Sequence, residues 1–158
     1  MKRRNLFTLL AAAGLASRSR AAGPATSGIG RLDLPDEEWQ KRLSPEQYRV
    51  LRHEATEPPQ SSPLNHEKRR GTFVCAGCEL PLFDSAMKYE SGTGWPSFFD
   101  VLPGAVGTKR DWSLVIPRTE YHCARCGGHQ GHVFDDGPAP TGLRYCNNGV
   151  ALRFEVAV

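Results

Sequence analysis

Four of the five cysteines fall into two short pairs, Cys75 with Cys78 in VCAGC and Cys123 with Cys126 in HCARCG. A Cys-x-x-Cys turn can offer two thiolates to one side of a metal ion, so two such pairs complete a tetrahedral four-sulfur zinc site. Four thiolates leave no open coordination position. A zinc ion held this way is structural and staples a domain whose core alone is modest. Forty-four residues separate Cys78 from Cys123, more than a compact zinc ribbon has, so the metal would clasp two distant parts of the chain. Two disulfides are the rival reading for an oxidising compartment, and a redox dithiol is a third.

Cys146 stands apart in GLRYCNNG, two residues after Arg144. A neighbouring guanidinium favours the thiolate, the reactive form of cysteine. A lone cysteine can equally be an inert small hydrophobe. Trp95, His129, His132 and the Asp135 to Pro138 stretch have similarly plain readings as core, satisfied hydrogen-bonders and turn.

Taken together, SGTGWPSF (91–98), HCARCGGHQGHVFDDGP (122–138) and TGLRYCNN (141–148) closely resemble, in sequence and in order, the signature segments of methionine-R-sulfoxide reductases. HEATEPPQSSPLN and FVCAGCELPLF resemble the same family's earlier segments, so the likeness runs from about residue 36 to the C-terminus. It implies a mainly β fold, two antiparallel sheets in a tent-like shell, with the zinc site opposite the active site. It further implies Cys146 as nucleophile, with His129, His132, Asp136, Arg144 and Asn148 around it and Trp95 as the substrate pocket's wall. Physically, Trp95 would supply a flat apolar surface for the substrate methyl group. The two histidines would donate hydrogen bonds or a proton to the sulfoxide oxygen.

The implied reaction has the Cys146 thiolate attack the sulfoxide sulfur of oxidised methionine in peptides or proteins, leaving a sulfenic acid for a thioredoxin-like protein or small thiol to reduce. The chain departs from the family pattern in four places. Thr93 occupies the position where many members carry a resolving cysteine, which changes the recycling step. Gln130 replaces a common leucine, Gln60 a frequent aromatic and Asn147 a usual aliphatic residue, which predicts a more polar or differently packed pocket. Rival functions are a zinc-ribbon-like binding module, a thiol hydrolase using Cys146 and His132, and a metal-storage or structural protein.

The elements that must position these residues fit one domain in a chain of 158 residues. Residues 1–21 read as a twin-arginine-type signal peptide, with Lys2, Arg3 and Arg4 before Leu6, Phe7 and an apolar run too short to span a bilayer. Cleavage would remove Lys2, Arg3, Arg4, Arg18 and Arg20, turning the formal charge of +3 into about −2. That near-neutral balance argues against nucleic-acid or anionic-membrane partners. A periplasmic monomer is expected.

Residues 22–34 read as a flexible linker and 35–158 as the domain. Trp39 and Leu43 share one face of a short helix over Pro35 to Leu43. Ser44, Pro45 and Gln47 predict a capping box opening a second helix that runs to about His53, before Pro58 and Pro59. Lys68, Arg69 and Arg70 read as a solvated turn. β-favouring runs at Thr72 to Cys75, Ser113 to Pro117, His132 to Phe134 and Val150 to Val158 complete a helix-poor, mostly antiparallel domain.

Overall fold

Ser44 begins the second helix as its side chain requires. Its Oγ accepts from the Gln47 N–H at 3.2 Å, while Gln47 Oε1 accepts from the Ser44 N–H at 3.0 Å. This reciprocal box satisfies two of the orphaned donors at the helix start. It launches α2 (Pro45–His53) after α1 (Asp36–Arg42), and the two bury Trp39, Val50 and Leu51. Glu54, in the left-handed region at φ 54°, ends α2. A computed structural model describes residues 28–158; the leader read over 1–21 and the first half of the linker lie outside them. The linker's second half has no regular structure, yet Ile29, Leu32 and Leu34 pack on the core, and the Leu32 N–H donates to the Arg125 carbonyl. Domain packing therefore begins upstream of Pro35.

Nine strands follow. β1 (Gly71–Cys75), β2 (Pro81–Asp84) and β9 (Leu152–Val156) form a three-stranded sheet in the order β2-β1-β9. β3 (Lys88–Tyr89), β4 (Ser97–Phe98), β5 (Val106–Asp111), β6 (Arg118–Cys123), β7 (His129–Phe134) and β8 (Arg144–Asn147) form a six-stranded sheet in the order β3-β4-β8-β7-β6-β5. Every pairing is antiparallel, as expected for this mainly β fold. The sheets meet through aromatic rings. Phe83 of the small sheet stacks on Phe98 of the large one at 4.0 Å between centroids, with Phe73, Tyr121 and Tyr145 edge-on or tilted around them.

Register in the large sheet arranges the polar residues. Lys109, Glu120, His132, Cys146, Ser97 and Tyr89 are successive cross-strand partners across its six strands. Directly opposed residues share a face, so one row carries an acid, an imidazole and a thiol side by side. A second row on that face pairs Asp111 with Arg118 and Phe134 with Arg144. Between the rows' strands, Gly131 cannot be replaced cheaply: a Cβ there would lie 1.9 Å from the Cys146 carbonyl oxygen. The β6–β7 pairing also shifts register, from Tyr121 opposite Gly131 to His122 opposite His129, leaving Gln130 without a partner. Such a bulge re-aims side chains. Here it brings His129 and His132 together, ring centroids 5.5 Å apart, and sends Gln130 into the core.

Two strand expectations need correction. Ser113 to Pro117 is not a strand but the end of the β5–β6 hairpin, closed by Asp111 opposite Arg118. Asp111 accepts from the Ser113 N–H at 2.8 Å, Pro117 has no N–H to give a ladder, and Leu114, Val115 and Ile116 are exposed. The run Val150 to Val158 becomes a strand only at Leu152. Gly149–Ala151 form a single 3-10 turn instead, because the Glu57 carboxylate takes the N–H groups of Gly149 and Val150. Among the described residues no helix is long and apolar enough to cross a membrane.

Candidate active site and metal centre

Each Cys-x-x-Cys pair occupies the turn of a hairpin. After β1, the N–H groups of Cys78 and Glu79 return to the Cys75 carbonyl, and Glu79 takes a left-handed φ of 62°. Between β6 and β7, the Gly127 N–H returns to the Cys123 carbonyl with φ 68°. These turns aim two sulfurs each at a common point. All four Sγ atoms lie within 4.8 Å of one another, with Cys75 and Cys126 at 3.7 Å and Cys78 and Cys123 at 3.4 Å. A four-thiolate zinc tetrahedron with bonds near 2.3 Å has edges of about 3.8 Å, so the donor set fits. None of the four cysteines is in a disulfide. The cluster joins one hairpin from each sheet, and Arg52 of α2 donates to the Cys126 carbonyl at 3.0 Å to seat the helix over it.

The fifth thiol lies elsewhere. Cys146 is half-buried in a pocket of about 220 Å³ lined by Trp95, Arg118, His132, Phe134, Arg144 and Thr93 among others. Thr93 Oγ1 is 3.9 Å from Cys146 Sγ, and a chain of hydroxyls links Thr93 through Ser91 to Ser97, the β4 partner of Cys146. Burial pushes the Cys146 thiol above its ordinary value. Thr93 and Arg144 pull it down but do not offset the burial. Arg144 thus favours the thiolate in direction, as expected, while burial is the larger effect.

His132 Nε2 stands 2.7 Å from Asp111 Oδ2. Asp111 also accepts from Arg118 at 2.8 Å, and Ser113 first, then His132 and Arg118, holds its carboxyl far below the ordinary range. A charged carboxylate can only accept, so His132 carries its proton on Nε2 and keeps Nδ1 for exchange. Burial moves the His132 pKa down, with Asp111 only partly opposing it. His129 does not line the pocket. It is 2% exposed, its Nδ1 is 2.7 Å from Glu120 Oε1, and its Nε2 has no partner among the described residues. Burial alone would raise the Glu120 pKa, but hydrogen bonds from His122 and His129 bring it to about 2.

Trp95, Asn148 and the chain end of the pocket hang on one residue. Glu57 accepts from Trp95 Nε1 through its carbonyl at 3.1 Å, donates its N–H to Asn148 Oδ1 at 3.0 Å, and caps Gly149 and Val150 with its carboxylate. Asn148 Nδ2 donates to the Gln130 carbonyl at 3.0 Å, so the Asn148 side chain braces the loop. Asp136 grips Arg144 through two parallel hydrogen bonds of 2.8 Å, and the guanidinium lies 4.3 Å over the Phe134 ring. Such a bidentate fork fixes the guanidinium plane.

Asp111, Arg118, Glu120 and Glu57 are the positions sequence reasoning missed. The only signal was the alternation of Glu120 and His122 along one run, uninterpretable without the register that brings His129 to it. Of the two departures expected to make the pocket more polar or differently packed, Asn147 lines the pocket and Gln130 does not. Gln130 is fully buried and lines no part of it, while the Asn147 amide is spent on Tyr121 and Gln130.

Because burial outweighs its neighbours, alkylation of Cys146 by iodoacetamide, followed on its own peptide, is expected to show a midpoint above the ordinary thiol range. Arg144→Met removes one of the opposing charges and should move it higher still. A midpoint near neutrality in the wild type would contradict this electrostatic reading.

The SelR domain matches residues 43–156 of the chain. The chain is 54% identical over 125 residues to the peptide methionine sulfoxide reductase MsrB of Methanosarcina barkeri, covering 78% of this chain and 88% of that one. It is 53% identical over 125 residues to the MsrB of Leptospira interrogans, covering 78% and 95%. The MsrB of Bradyrhizobium diazoefficiens is 54% identical over 121 residues, covering 76% and 87%. A match of this depth, spanning both cysteine pairs and the pocket around Cys146, makes the chain a member of the SelR-domain family, to which the peptide methionine sulfoxide reductases MsrB are its relatives.

Proposed function

We propose that the chain reduces methionine-R-sulfoxide in peptides and proteins, with Cys146 as nucleophile. One observation carries this reading: a thiol and an imidazole are direct cross-strand partners at the wall of a pocket whose other sides are Trp95, Phe134 and Arg144. The Trp95 and Phe134 rings suit a thioether carbon chain and its methyl group. Donors around the thiol suit an oxide oxygen. Family membership and the named activity of the relatives support the same reaction, and the R form rests on the resemblance to methionine-R-sulfoxide reductases.

In the proposed step Cys146 Sγ adds to the sulfoxide sulfur while its proton passes, through His132 Nδ1, to the oxide oxygen. The hydroxyl then moves to Sγ as the new sulfur–sulfur bond breaks, methionine leaves, and Cys146 remains as a sulfenic acid. The cysteine sulfur loses two electrons, the substrate sulfur gains them, and no further proton is needed. Asp111 and Arg118 orient His132, and Asp136 holds Arg144 beside the thiol. Glu120 holds His129, whose free Nε2 supplies a second hydrogen-bonding group close to His132.

Zinc is proposed for the cluster, held by Cys75, Cys78, Cys123 and Cys126; as a closed site it would supply folding free energy and no step of the reaction. Recycling is proposed to fall to an external thiol, a thioredoxin-like protein or small molecule, because Thr93, whose hydroxyl is 3.9 Å from Cys146 Sγ, is no thiol and the other four cysteines are in the cluster. Export to the periplasm as a monomer is proposed from Lys2 to Phe7 and the apolar run after them.

Separate assays with R- and S-sulfoxides and excess dithiol test the function. Wild type is expected to consume only the R epimer and Cys146→Ser neither, with turnover down by at least about 10³-fold while the fold stays intact. Turnover of neither epimer by the wild type would refute it. Recycling has its own test in Thr93→Cys: the introduced thiol should form a disulfide with Cys146 after one turnover, whereas a wild-type disulfide from Cys146 to a cluster cysteine would contradict the external route.

A further inference from the structure

Gln130 and Asn147 are unused by the reaction, yet both are completely buried. Burying two primary amides is costly unless every polar atom finds a partner. Their partners form a directed chain. The Tyr121 hydroxyl donates to Asn147 Oδ1 at 2.7 Å, Asn147 Nδ2 donates to Gln130 Oε1 at 3.3 Å, and Gln130 Nε2 donates to Cys75 Sγ at 3.4 Å. Each amide accepts on one side and donates on the other, and the chain ends on a sulfur. A metal-bound thiolate, having no proton of its own to place, is the acceptor that completes this order.

The chain's position gives it a mechanical consequence. Its second link, Asn147, follows Cys146 on β8, and Asn147 Nδ2 also donates to the Asn148 carbonyl at 2.8 Å. Its near end grips a cysteine of the small sheet. Gly131 lies between Tyr121 and Asn147 in the ladder, and its lack of a side chain leaves room between them. The bulge that aims His129 and His132 is the same one that places Gln130 inside.

We propose that Gln130 and Asn147 are a matched pair of positioning residues that couple the metal cluster to the strand carrying Cys146. This rests on the zinc reading of the four cysteines. Groups that hydrogen-bond a metal ligand orient it and tune the metal, and their loss typically costs 10–100-fold in affinity or activity. The pair extends that influence one link further, to a residue that touches no metal ligand.

The test uses the zinc-loaded full chain and measures zinc content, then zinc release to a chelator. Gln130→Met keeps the side chain's length and removes its donor; release should speed by about tenfold. In the cobalt-substituted protein its thiolate-to-metal charge-transfer band should move to lower energy, since the sulfur loses a proton donor. Asn147→Leu should also speed release, and the double variant should be no faster than the faster single one. Tyr121→Phe, which deletes only the first donor, reads the same link if Asn147→Leu does not fold. Release from Asn147→Leu and Tyr121→Phe at the wild-type rate, or single effects that multiply in the double variant, would overturn the coupling while leaving the metal site in place. Wild-type protein without zinc would overturn both readings.

Discussion

The antiparallel register that sets His132 opposite Cys146 across β7 and β8 is the constraint on which the site depends. Side chains alternate faces along a strand, so a slip of one residue would turn the thiol to the opposite face of the sheet from His132. Gly131 enforces the close approach of the two strands, since any side chain there would meet the Cys146 carbonyl. The same register lines up Glu120 behind His132 and Ser97 beyond Cys146, so one pairing decision delivers an acid, an imidazole, a thiol and a hydroxyl in sequence.

The electrostatics follow from that row being half out of water. Burial pushes the Cys146 thiol up and the His132 imidazole down, so it favours the uncharged form of both. The charges sit one layer out. Asp111 is fixed by Ser113, His132 and Arg118, Asp136 by Arg144, and Glu120 by His122 and His129, so each of these carboxylates has its own partners. Glu120 contributes stability above its unfolded-state pKa that is lost as the pH falls toward about 2.

Local chemistry was legible in the sequence wherever the cause lay within a few residues. The capping box at Ser44, the two cysteine turns and the separation of Cys146 from them are all short-range patterns, and each appears where its residue types require. What stayed hidden depends on which strands pair. Ser113 to Pro117 has β-favouring composition, but composition does not say that the hairpin has already closed at Asp111, leaving Val115 and Ile116 in solvent. Asp111 and Glu120 drew no reading from the sequence, because only the register turns them toward His132 and His129. Gln130 and Asn147 read as departures that make the pocket more polar or repack it, whereas the bulge takes Gln130 away from the pocket, and Asn147, which lines it, spends its amide on Tyr121 and Gln130.

The central claim is that oxygen passes from the substrate's sulfur to Cys146. A single turnover of reductant-free protein, with methionine-R-sulfoxide bearing isotopically heavy oxygen, followed by trapping of sulfenic acid and peptide mass analysis, tests it directly. The account predicts the heavy oxygen on the Cys146 peptide in proportion to methionine formed. Methionine formed with the label released to water, or carried on any of the other four cysteines, would contradict it.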